Sequence, residues 1–287
     1  MSSSRGASSR VRVGVPSRGR LREQCLTLLA QAGFPTGMLH GGGSIAALDG
    51  MELIEMRPRD AAAALAAESL DAAVLATDIV MEHQLEDLPS LPLGFSRSDL
   101  VLASRDDDGR QSAADLAGGV VATHLPELTK RYFAEAGVDV TVVSMGGSLE
   151  GVCAAGLADA IVDLRETGTS LRANRLRVLE VLRSCQAEFV WRRPSPVLDD
   201  LTLRLQAVLS ARAHRYVMLH IPRERLESLR QVFPGLAAPT VLPLAGREDL
   251  VAVHFVVEDS ALWTRLSELR ALGATGIVAL QPGALLP

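Results

Sequence analysis

Aromatic residues make up only 3% of this 287-residue chain, whereas hydrophobic residues make up 48%. This composition is typical of an aliphatic globular protein with two or three compact units, and it excludes a disordered chain. No apolar run reaches the roughly 20 residues that a membrane-spanning helix requires, so we expect no membrane partner. Residues 1–10 lack the apolar core of a signal peptide, and we expect them to form a disordered tail.

Lysine and cysteine are also scarce. Lys130 is the only lysine and the net charge is -5, which argues against a dedicated nucleic-acid binder. The three cysteines, Cys25, Cys153 and Cys185, are odd in number and show no metal-binding spacing. They exclude a disulfide-based scaffold, and a reduced, cytoplasmic location fits them best.

The most informative segment runs from Glu150 to Leu171. Asp159 and Asp163 accompany a strand-like run, and a turn of Thr167, Gly168, Thr169 and Ser170 leads into a helix at Leu171. Amides of such a turn and the helix dipole favour an anion, hydroxyls add hydrogen bonds, and glycine permits close approach. The aspartates suit sugar hydroxyls or a magnesium ion beside a phosphate. The alternative is an ordinary helix cap, with both aspartates capping loops or pairing with arginines.

Strand and helix patterns alternate over the first two thirds of the chain, which favours an α/β sheet with helices on both faces. An acidic run, Asp106–Asp108, interrupts this region and is predicted to be a solvated loop. The predicted elements before it are strands at Val11–Val15, Met51–Met56, Ala72–Ala76 and Leu100–Ala103 and helices at Leu21–Ala32 and Ala61–Ala67.

The pattern changes after about residue 214, where the order becomes βαββαβ, which is typical of a ferredoxin-like domain. The predicted elements are, in order, Arg215–Ile221, Glu224–Val232, Thr240–Leu244, Val251–Val257, Ala261–Leu272 and Ile277–Leu280.

The order Glu150, Gly156, Asp159, Asp163, Thr167-Gly168 and Leu171 resembles the phosphoribosyl-diphosphate signature of the ATP phosphoribosyltransferase family, which opens histidine biosynthesis. The resemblance covers roughly residues 11–287. It extends to Val15–Leu21, Arg57–Asp60, Leu116–Gly118, Leu128–Phe133, Pro239–Leu244 and Val251–His254.

The resemblance implies a bilobal catalytic part like a periplasmic binding protein, followed by an ACT-like, ferredoxin-like regulatory domain. The first lobe would contain residues 11–98 and 178–210, and the second lobe residues 99–177. The regulatory domain would contain residues 211–287.

The resemblance also implies a reaction that joins N1 of ATP to the anomeric carbon of phosphoribosyl diphosphate and releases diphosphate, with Mg²⁺ as cofactor. Three groups of residues would serve it. The catalytic group is Asp163, Asp159 and Glu150, with Asp159 and Asp163 as metal ligands. Phosphoribosyl diphosphate would be bound by Asp159, Asp163, Thr167, Gly168, Thr169, Ser170 and Leu171. ATP would be bound by Arg18, Gly19, Arg20, Arg57, Arg59, Asp60 and Asp78.

In the regulatory domain, the resemblance implies a binding site for histidine as inhibitor and a homodimer or homohexamer. The ligand would contact His220, Thr240, Leu242 and Leu244. His220 stands where the family often has asparagine or aspartate, a change that would weaken feedback by histidine.

Several site loops depart from the family pattern. The family commonly has N-K-G where this chain has Ser17-Arg18-Gly19, and K-Y-P-N where it has His124-Leu125-Pro126-Glu127. Val74–Asp78 replaces a glycine-containing segment, and Ser170 replaces a threonine. Three interpretations follow: the standard reaction with drift in the loops, a paralogue that transfers phosphoribosyl to another nitrogen heterocycle, and a non-catalytic ligand-binding regulator.

Overall fold

The computed structural model describes residues 10–48, 50–233 and 239–286. The chain divides into two compact units. The first contains the residues up to Thr27 together with Pro35–Asp199, and the second contains Leu28–Phe34 together with the residues from Asp200 onward. The predicted disordered tail, except Arg10, lies outside the described residues. Within the described ranges, no helix is long and apolar enough to cross a membrane.

The first unit contains two α/β lobes, and the sheet of the first lobe is parallel at its centre. Its six strands are, in spatial order, β2 (Ile45–Leu48), β3 (Met51–Met56), β1 (Val11–Pro16), β4 (Ala72–Ala76), β11 (Ala187–Trp191) and β5 (Ser90–Pro92). β1 pairs in parallel with both β3 and β4. Strands buried on both faces are nearly continuous in apolar residues, as β1 and β4 are. The helices between these strands are α1 (Gly19–Gln31), α2 (Gly37–His40), α3 (Pro58–Ala66) and α4 (Thr77–Glu82).

The second lobe has a five-stranded mixed sheet. Its strands are, in spatial order, β10 (Leu176–Cys185), β6 (Ser98–Arg105), β9 (Ala160–Arg165), β7 (Val120–Thr123) and β8 (Thr141–Ser144). β7 pairs in parallel with β8 and β9, so these three strands end at one edge. Its helices are α5 (Pro126–Glu135), α6 (Leu149–Ala154) and α7 (Thr169–Ala173), with a 3-10 turn at Ala113–Leu116.

One hydrophobic core connects the two lobes of the first unit. It contains Leu75 and Ile79 of the first lobe and Leu100, Phe133 and Val162 of the second. Burial of large aliphatic and aromatic side chains contributes about 1.5–3 kcal/mol per residue. This shared packing holds the carboxyl edges of the two sheets in a defined relation.

The second unit contains α8 (Pro196–Arg212) from Asp200 onward and a four-stranded antiparallel sheet. The strands are, in spatial order, β13 (Thr240–Leu244), β14 (Arg247–Glu258), β12 (His214–Pro222) and β15 (Thr275–Leu280). Helices α9 (Leu226–Val232), α10 (Asp259–Thr264) and α11 (Leu266–Ala271), with a 3-10 turn at Arg223–Arg225, complete the βαββαβ order. The predicted fold class of two α/β lobes and a ferredoxin-like domain is therefore confirmed.

Two local predictions differ from the structure. The single helix predicted over Ala261–Leu272 is divided at Arg265, whose backbone has φ -106° and ψ 11°. The Arg265 side chain donates to the carbonyl of Val232, which ties this break to the end of α9. In the predicted solvated loop, Asp108 is buried to 8% side-chain exposure because it pairs with Arg110 at 2.7 Å.

The chain returns from the second lobe to the first after a long edge strand. β10 pairs antiparallel with β6 through Cys185, and the next strand, β11, pairs with β4 in the first sheet. Residues 178–185, which the sequence assigns to the first lobe, thus lie in the sheet of the second lobe. The limits at residues 98 and 211 remain predictions.

Candidate functional site

Three of the predicted acceptor segments meet at the carboxyl edge of the first sheet. Because β1, β3 and β4 are parallel neighbours, the turns that follow them lie side by side. The amide of Ser17 donates to the carbonyl of Met56 at 3.0 Å, which joins the first two turns directly. Arg18, Gly19 and Arg20 follow β1, and Arg57, Arg59 and Asp60 follow β3. Asp78 follows β4.

A cavity of about 490 Å³ opens between this edge and the carboxyl edge of the second sheet. Its polar wall consists of Arg59, Asp78, His124, Ser144 and Asp163. Its apolar wall consists of Ile79, Leu125, Met145 and Leu164, and Gly146 completes the lining. A mostly apolar cleft with a few convergent polar groups is the usual form of a small-molecule site.

Two carboxyl groups of this cavity have raised pKa values. Burial raises the pKa of Asp78 from 3.8 to about 6, against the lowering effect of nearby backbone amides and of Arg59. Burial also raises the pKa of Asp163, against a hydrogen bond from the amide of Leu164 and the charge of His124, while Glu150 raises it further. Carboxylates in such surroundings are frequent at functional sites.

The segment after Asp163 forms a tight loop. Gly168 has φ +71°, in the left-handed region, and precedes the first residue of α7. The hydroxyl oxygens of Thr167 and Thr169 form a hydrogen bond at 3.0 Å. Arg172 donates to the Thr167 carbonyl and to the Thr169 hydroxyl, each at 3.2 Å. Arg172 is not among the predicted site residues, although its place in the last turn of α7 lets it reach back to the loop.

Further cavities are lined by residues 165–168 of the same segment. One, of about 430 Å³, is lined by Thr167, Gly168 and Arg172 among others. The other, of about 460 Å³, is lined by Arg97, Asp99, Arg165 and Glu166 among others. Together with the 490 Å³ cavity, they surround residues 163–168.

Glu150 and Leu171 take different places in this loop. The hydroxyl of Ser170 donates to Glu150 and, as the largest effect, lowers the pKa of that carboxyl. Glu150 therefore lies beside the loop, and its charge also acts on Asp163. Leu171 is buried to 7% exposure in the core of the second lobe, so only its backbone faces the loop.

Asp159 is separated from the other predicted residues. It precedes β9, whereas Asp163 lies four residues further along, about 13 Å away at the strand rise of about 3.3 Å per residue. One Asp159 oxygen accepts from the amide of Val120 at 2.8 Å, and the other accepts from Arg110 at 2.6 Å. These bonds lower the pKa of Asp159, the amide of Val120 being the first cause. The sequence allowed Asp159 either to bind a sugar or magnesium or to pair with an arginine, and in the structure it pairs with Arg110.

Other predicted residues connect the lobes. Arg20 pairs with Glu166 at 2.7 Å, so the first turn reaches the residue before Thr167. Arg59 donates to the carbonyl of His124. Arg18, Arg57 and Asp60 are exposed at the same edge.

Sequence analysis did not assign the residues 124, 144–146 and 164 to a site, although they line the cavity. In the sequence, His124 stands out only because it replaces the lysine of the family's K-Y-P-N motif. Ser144 ends β8 and residues 145 and 146 follow it, and the parallel pairing of β7 with β8 and β9 brings them to the cavity. Among the described residues, no group of three or more histidine, cysteine, aspartate or glutamate side chains is arranged to hold a metal ion.

The predicted regulatory residues lie in the antiparallel sheet of the second unit. His220 and Leu242 both pair with Ala252, from opposite sides, so their side chains share one face. Thr240 lies opposite His254, and Leu244 opposite Arg247. His220, Thr240 and Leu242 are exposed on this sheet.

Comparison with known families gives two adjoining matches. Residues 57–210 match the family model described as ATP phosphoribosyltransferase. Residues 211–281 match the family model described as the HisG C-terminal domain. Together the two models include the cavity-lining residues, the Thr167–Ser170 loop and the antiparallel sheet, whereas Arg18–Arg20 precede the matched range.

Individual relatives agree with the family models. An ATP phosphoribosyltransferase of Gemmatimonas aurantiaca is 38% identical, with 96% of this chain and 100% of the relative covered. One of Methanopyrus kandleri is 34% identical at the same coverage. A chain of the ATP phosphoribosyltransferase HisG:HisZ complex from Thermotoga maritima superposes with a TM-score of 0.59 and 25% identity, covering 70% of this chain and 98% of that chain. This chain belongs to the ATP phosphoribosyltransferase family, the pentosyltransferases that perform the first step of histidine biosynthesis.

Proposed function

We propose that the transfer of phosphoribosyl to ATP takes place in the cavity between the two carboxyl edges. The observation that carries this proposal is the convergence of Asp163, Glu150 and the Thr167–Ser170 loop of one lobe with Asp78 and Arg59 of the other. A displacement at the anomeric carbon requires no protein nucleophile. It requires two positioned substrates and stabilised charges.

The donor, phosphoribosyl diphosphate, binds to the second lobe. The amides and hydroxyls of Thr167, Gly168, Thr169 and Ser170 hold its 5-phosphate, and Arg172 adds positive charge beside them. Asp163 accepts hydrogen bonds from the ribose hydroxyls, and its negative charge stabilises the oxocarbenium-like centre. Asp159 has no part in binding, because both of its oxygens are engaged away from the loop.

The acceptor, ATP, binds to the first lobe. Its triphosphate lies along the arginines of the two turns, Arg18, Arg20, Arg57 and Arg59, which are suited to phosphate by their planar guanidinium groups. Its base enters the part of the cavity with apolar walls, next to Asp78. Gly19, whose φ is +74°, shapes the first turn at this edge.

The residues present fit Mg²⁺ as a cofactor that is carried largely by the substrate. Magnesium keeps several waters and binds through one or two carboxylates together with substrate phosphates. Asp163 has one oxygen that is not used by the Leu164 amide, and it is the carboxylate that would hold the ion. When bound, Mg²⁺ neutralises the diphosphate leaving group.

The experiment that tests this function measures diphosphate release from phosphoribosyl diphosphate, Mg²⁺ and ATP at micromolar enzyme. We expect turnover that yields phosphoribosyl-ATP and that stops when Mg²⁺ is chelated. Donor binding without turnover of ATP would contradict the proposal and would indicate an acceptor other than ATP. Absence of donor binding would indicate a regulator.

Gly168→Ala tests the phosphate loop separately. An L-residue at φ +71° costs roughly 1–2 kcal/mol, and the added Cβ would lie 3.2 Å from Arg172 Nη1. We expect the KM for phosphoribosyl diphosphate to rise about 10-fold, while the KM for ATP changes less than about 2-fold. Gly137→Ala, at φ +67° on the surface of the same lobe, is the matched control. An equal rise of both KM values in Gly168→Ala would contradict the assignment.

We further propose that the antiparallel sheet of the second unit binds histidine as inhibitor and mediates a homodimer or homohexamer. Leu242, Val256, Val278 and Leu280 are large apolar residues exposed on this sheet by 36–50%. Exposed apolar faces of this kind mark interaction surfaces. Light scattering should give a mass of two or six chains. If histidine at high concentration neither binds nor inhibits, the regulatory part of the proposal is wrong.

A further inference from the structure

Asp78 is the one residue of the candidate site with an unexplained buried oxygen. Its exposure is 5%, and Oδ1 has no hydrogen-bond partner among the described residues. A buried polar atom without a partner costs about 1–3 kcal/mol. Since Asp78 lines the cavity, a bound molecule can supply the missing partner.

The neighbouring charged groups do not place Asp78 in an ion pair. Among the described residues, Arg59 is the basic group that acts on it, and Arg59 donates to the carbonyl of His124. Asp163 lies near enough to act on Asp78 with like charge. Glu82, one turn further along α4, provides the contrast, because its two oxygens accept from the amides of Glu127 at 3.3 Å and Leu128 at 2.9 Å.

A hydrogen-bond partner of an ionised carboxylate has to be a donor. Phosphate groups are therefore excluded, and amino and hydroxyl groups remain. Ile79, Leu125, Met145 and Leu164 make the adjoining wall apolar, which suits a flat base better than a sugar. On the proposed function, Asp163 contacts the ribose of the donor, so Asp78 is close to the atom that attacks its anomeric carbon.

The chemistry of the acceptor supplies such a donor group. N1 of adenine gives its lone pair to the anomeric carbon, and the carbon–oxygen bond breaks with its electron pair leaving on diphosphate. The purine then carries one positive charge. Loss of one proton from the adjacent 6-amino group restores a neutral imino product.

From this geometry we infer that Asp78 is a catalytic residue that accepts a hydrogen bond, and then the proton, from the 6-amino group of the acceptor purine. The inference rests on the proposed function and assigns its base specificity. A purine with a 6-oxo group would place an oxygen against the carboxylate, so GTP and ITP are expected to be rejected. General bases of this kind contribute about 10²–10⁴-fold.

The ionisation of Asp78 makes this role dependent on pH. Its pKa is raised to about 6 by burial, so the proton-accepting form is lost as pH falls through 6. The charged or titratable groups that face it are Arg59 on α3, Asp163 on β9 and Cys185 on β10, with His124 across the cavity. For ATP, kcat/KM, which reports the free enzyme, should therefore decline on the acid side with a midpoint near pH 6; this decline is the acid limb of the profile.

The test compares ATP with purine riboside triphosphate, which has no 6-amino group, in the wild-type protein and in Asp78→Asn. We expect Asp78→Asn to lower kcat for ATP about 100-fold, to change its KM less than about 3-fold, and to abolish the acid limb. With purine riboside triphosphate, the substitution should lower kcat less than about 10-fold. Glu82→Gln is the control, because it also replaces a buried carboxyl of α4 by an amide. This variant should keep the acid limb.

Two results would overturn the inference: equal loss of kcat with both nucleotides, or a decline of kcat/KM for ATP that keeps its midpoint near pH 6 in Asp78→Asn. The wild-type protein supplies a test that does not depend on the variant folding. The acid limb should be present with ATP and absent with purine riboside triphosphate, and its presence with both would also overturn the inference. Absence of wild-type turnover with ATP would contradict the proposed function itself, whereas turnover combined with any of these results contradicts only the role of Asp78.

Discussion

Asp163→Asn is expected to lower kcat/KM for phosphoribosyl diphosphate by about 10²–10³-fold. The substitution keeps the hydrogen bond that Asp163 Oδ1 accepts from the Leu164 amide at 2.7 Å, but it removes the negative charge beside the anomeric centre. Initial rates of diphosphate release, measured at varied donor and saturating ATP, give the ratio. Asp107→Asn, in an exposed loop of the same lobe, is the matched control. A ratio within about 3-fold of the wild type would exclude Asp163 from catalysis.

The loss of activity should come without loss of stability. Burial raises the pKa of Asp163 in the folded protein, so the folded state disfavours the charged form. A group with a raised folded pKa stabilises the fold below its unfolded pKa, and this contribution is lost as pH rises through the folded value. Asparagine carries no charge, so at pH 8 the Tm of Asp163→Asn should equal or exceed that of the wild type. A lower Tm at pH 8 would show that the carboxylate has a structural role.

Asp159→Ala is expected to lower the stability of the protein and to leave donor binding nearly unchanged. It leaves the amide of Val120 and the guanidinium of Arg110 without their acceptor. Arg110 also pairs with Asp108, whose side chain is 8% exposed, so the whole cluster loses a member. Because the Asp159 side chain is itself 32% exposed, water replaces part of the lost interaction. The free energy of unfolding should fall by about 2 kcal/mol.

Urea unfolding followed by far-UV circular dichroism measures this change in the free energy of unfolding, and thermal unfolding measures the Tm. Since one kcal/mol lowers the Tm of a chain of this size by about 2–4 °C, we expect the Tm to fall by about 6 °C. The KM for phosphoribosyl diphosphate should change less than about 2-fold in the protein that remains folded. An unchanged Tm combined with a large increase in this KM would restore Asp159 to the donor site.

Much of the site was predictable because its signals are local. Thr167, Gly168, Thr169 and Ser170 predicted a turn before a helix, and in the structure Gly168, at φ +71°, precedes the first residue of α7. Alternation of strand and helix predicted an α/β sheet, and the structure has one with parallel strands at its centre. The βαββαβ order predicted the antiparallel sheet of the second unit. In each case the signal depends on the backbone preferences of a few neighbouring residues.

The sequence by itself determined which residue types follow each strand, because strand ends and turns are set by short-range preferences. Only the tertiary structure decided which of them share a space. Asp159 and Asp163 are four residues apart in one motif, yet the extended backbone separates them, because Asp159 precedes β9 and Asp163 lies within it towards its carboxyl end. Asp78 and His124 are 46 positions apart, and both line one cavity because the carboxyl edges of two sheets face each other. Long-range pairing of this kind depends on packing that no single segment encodes.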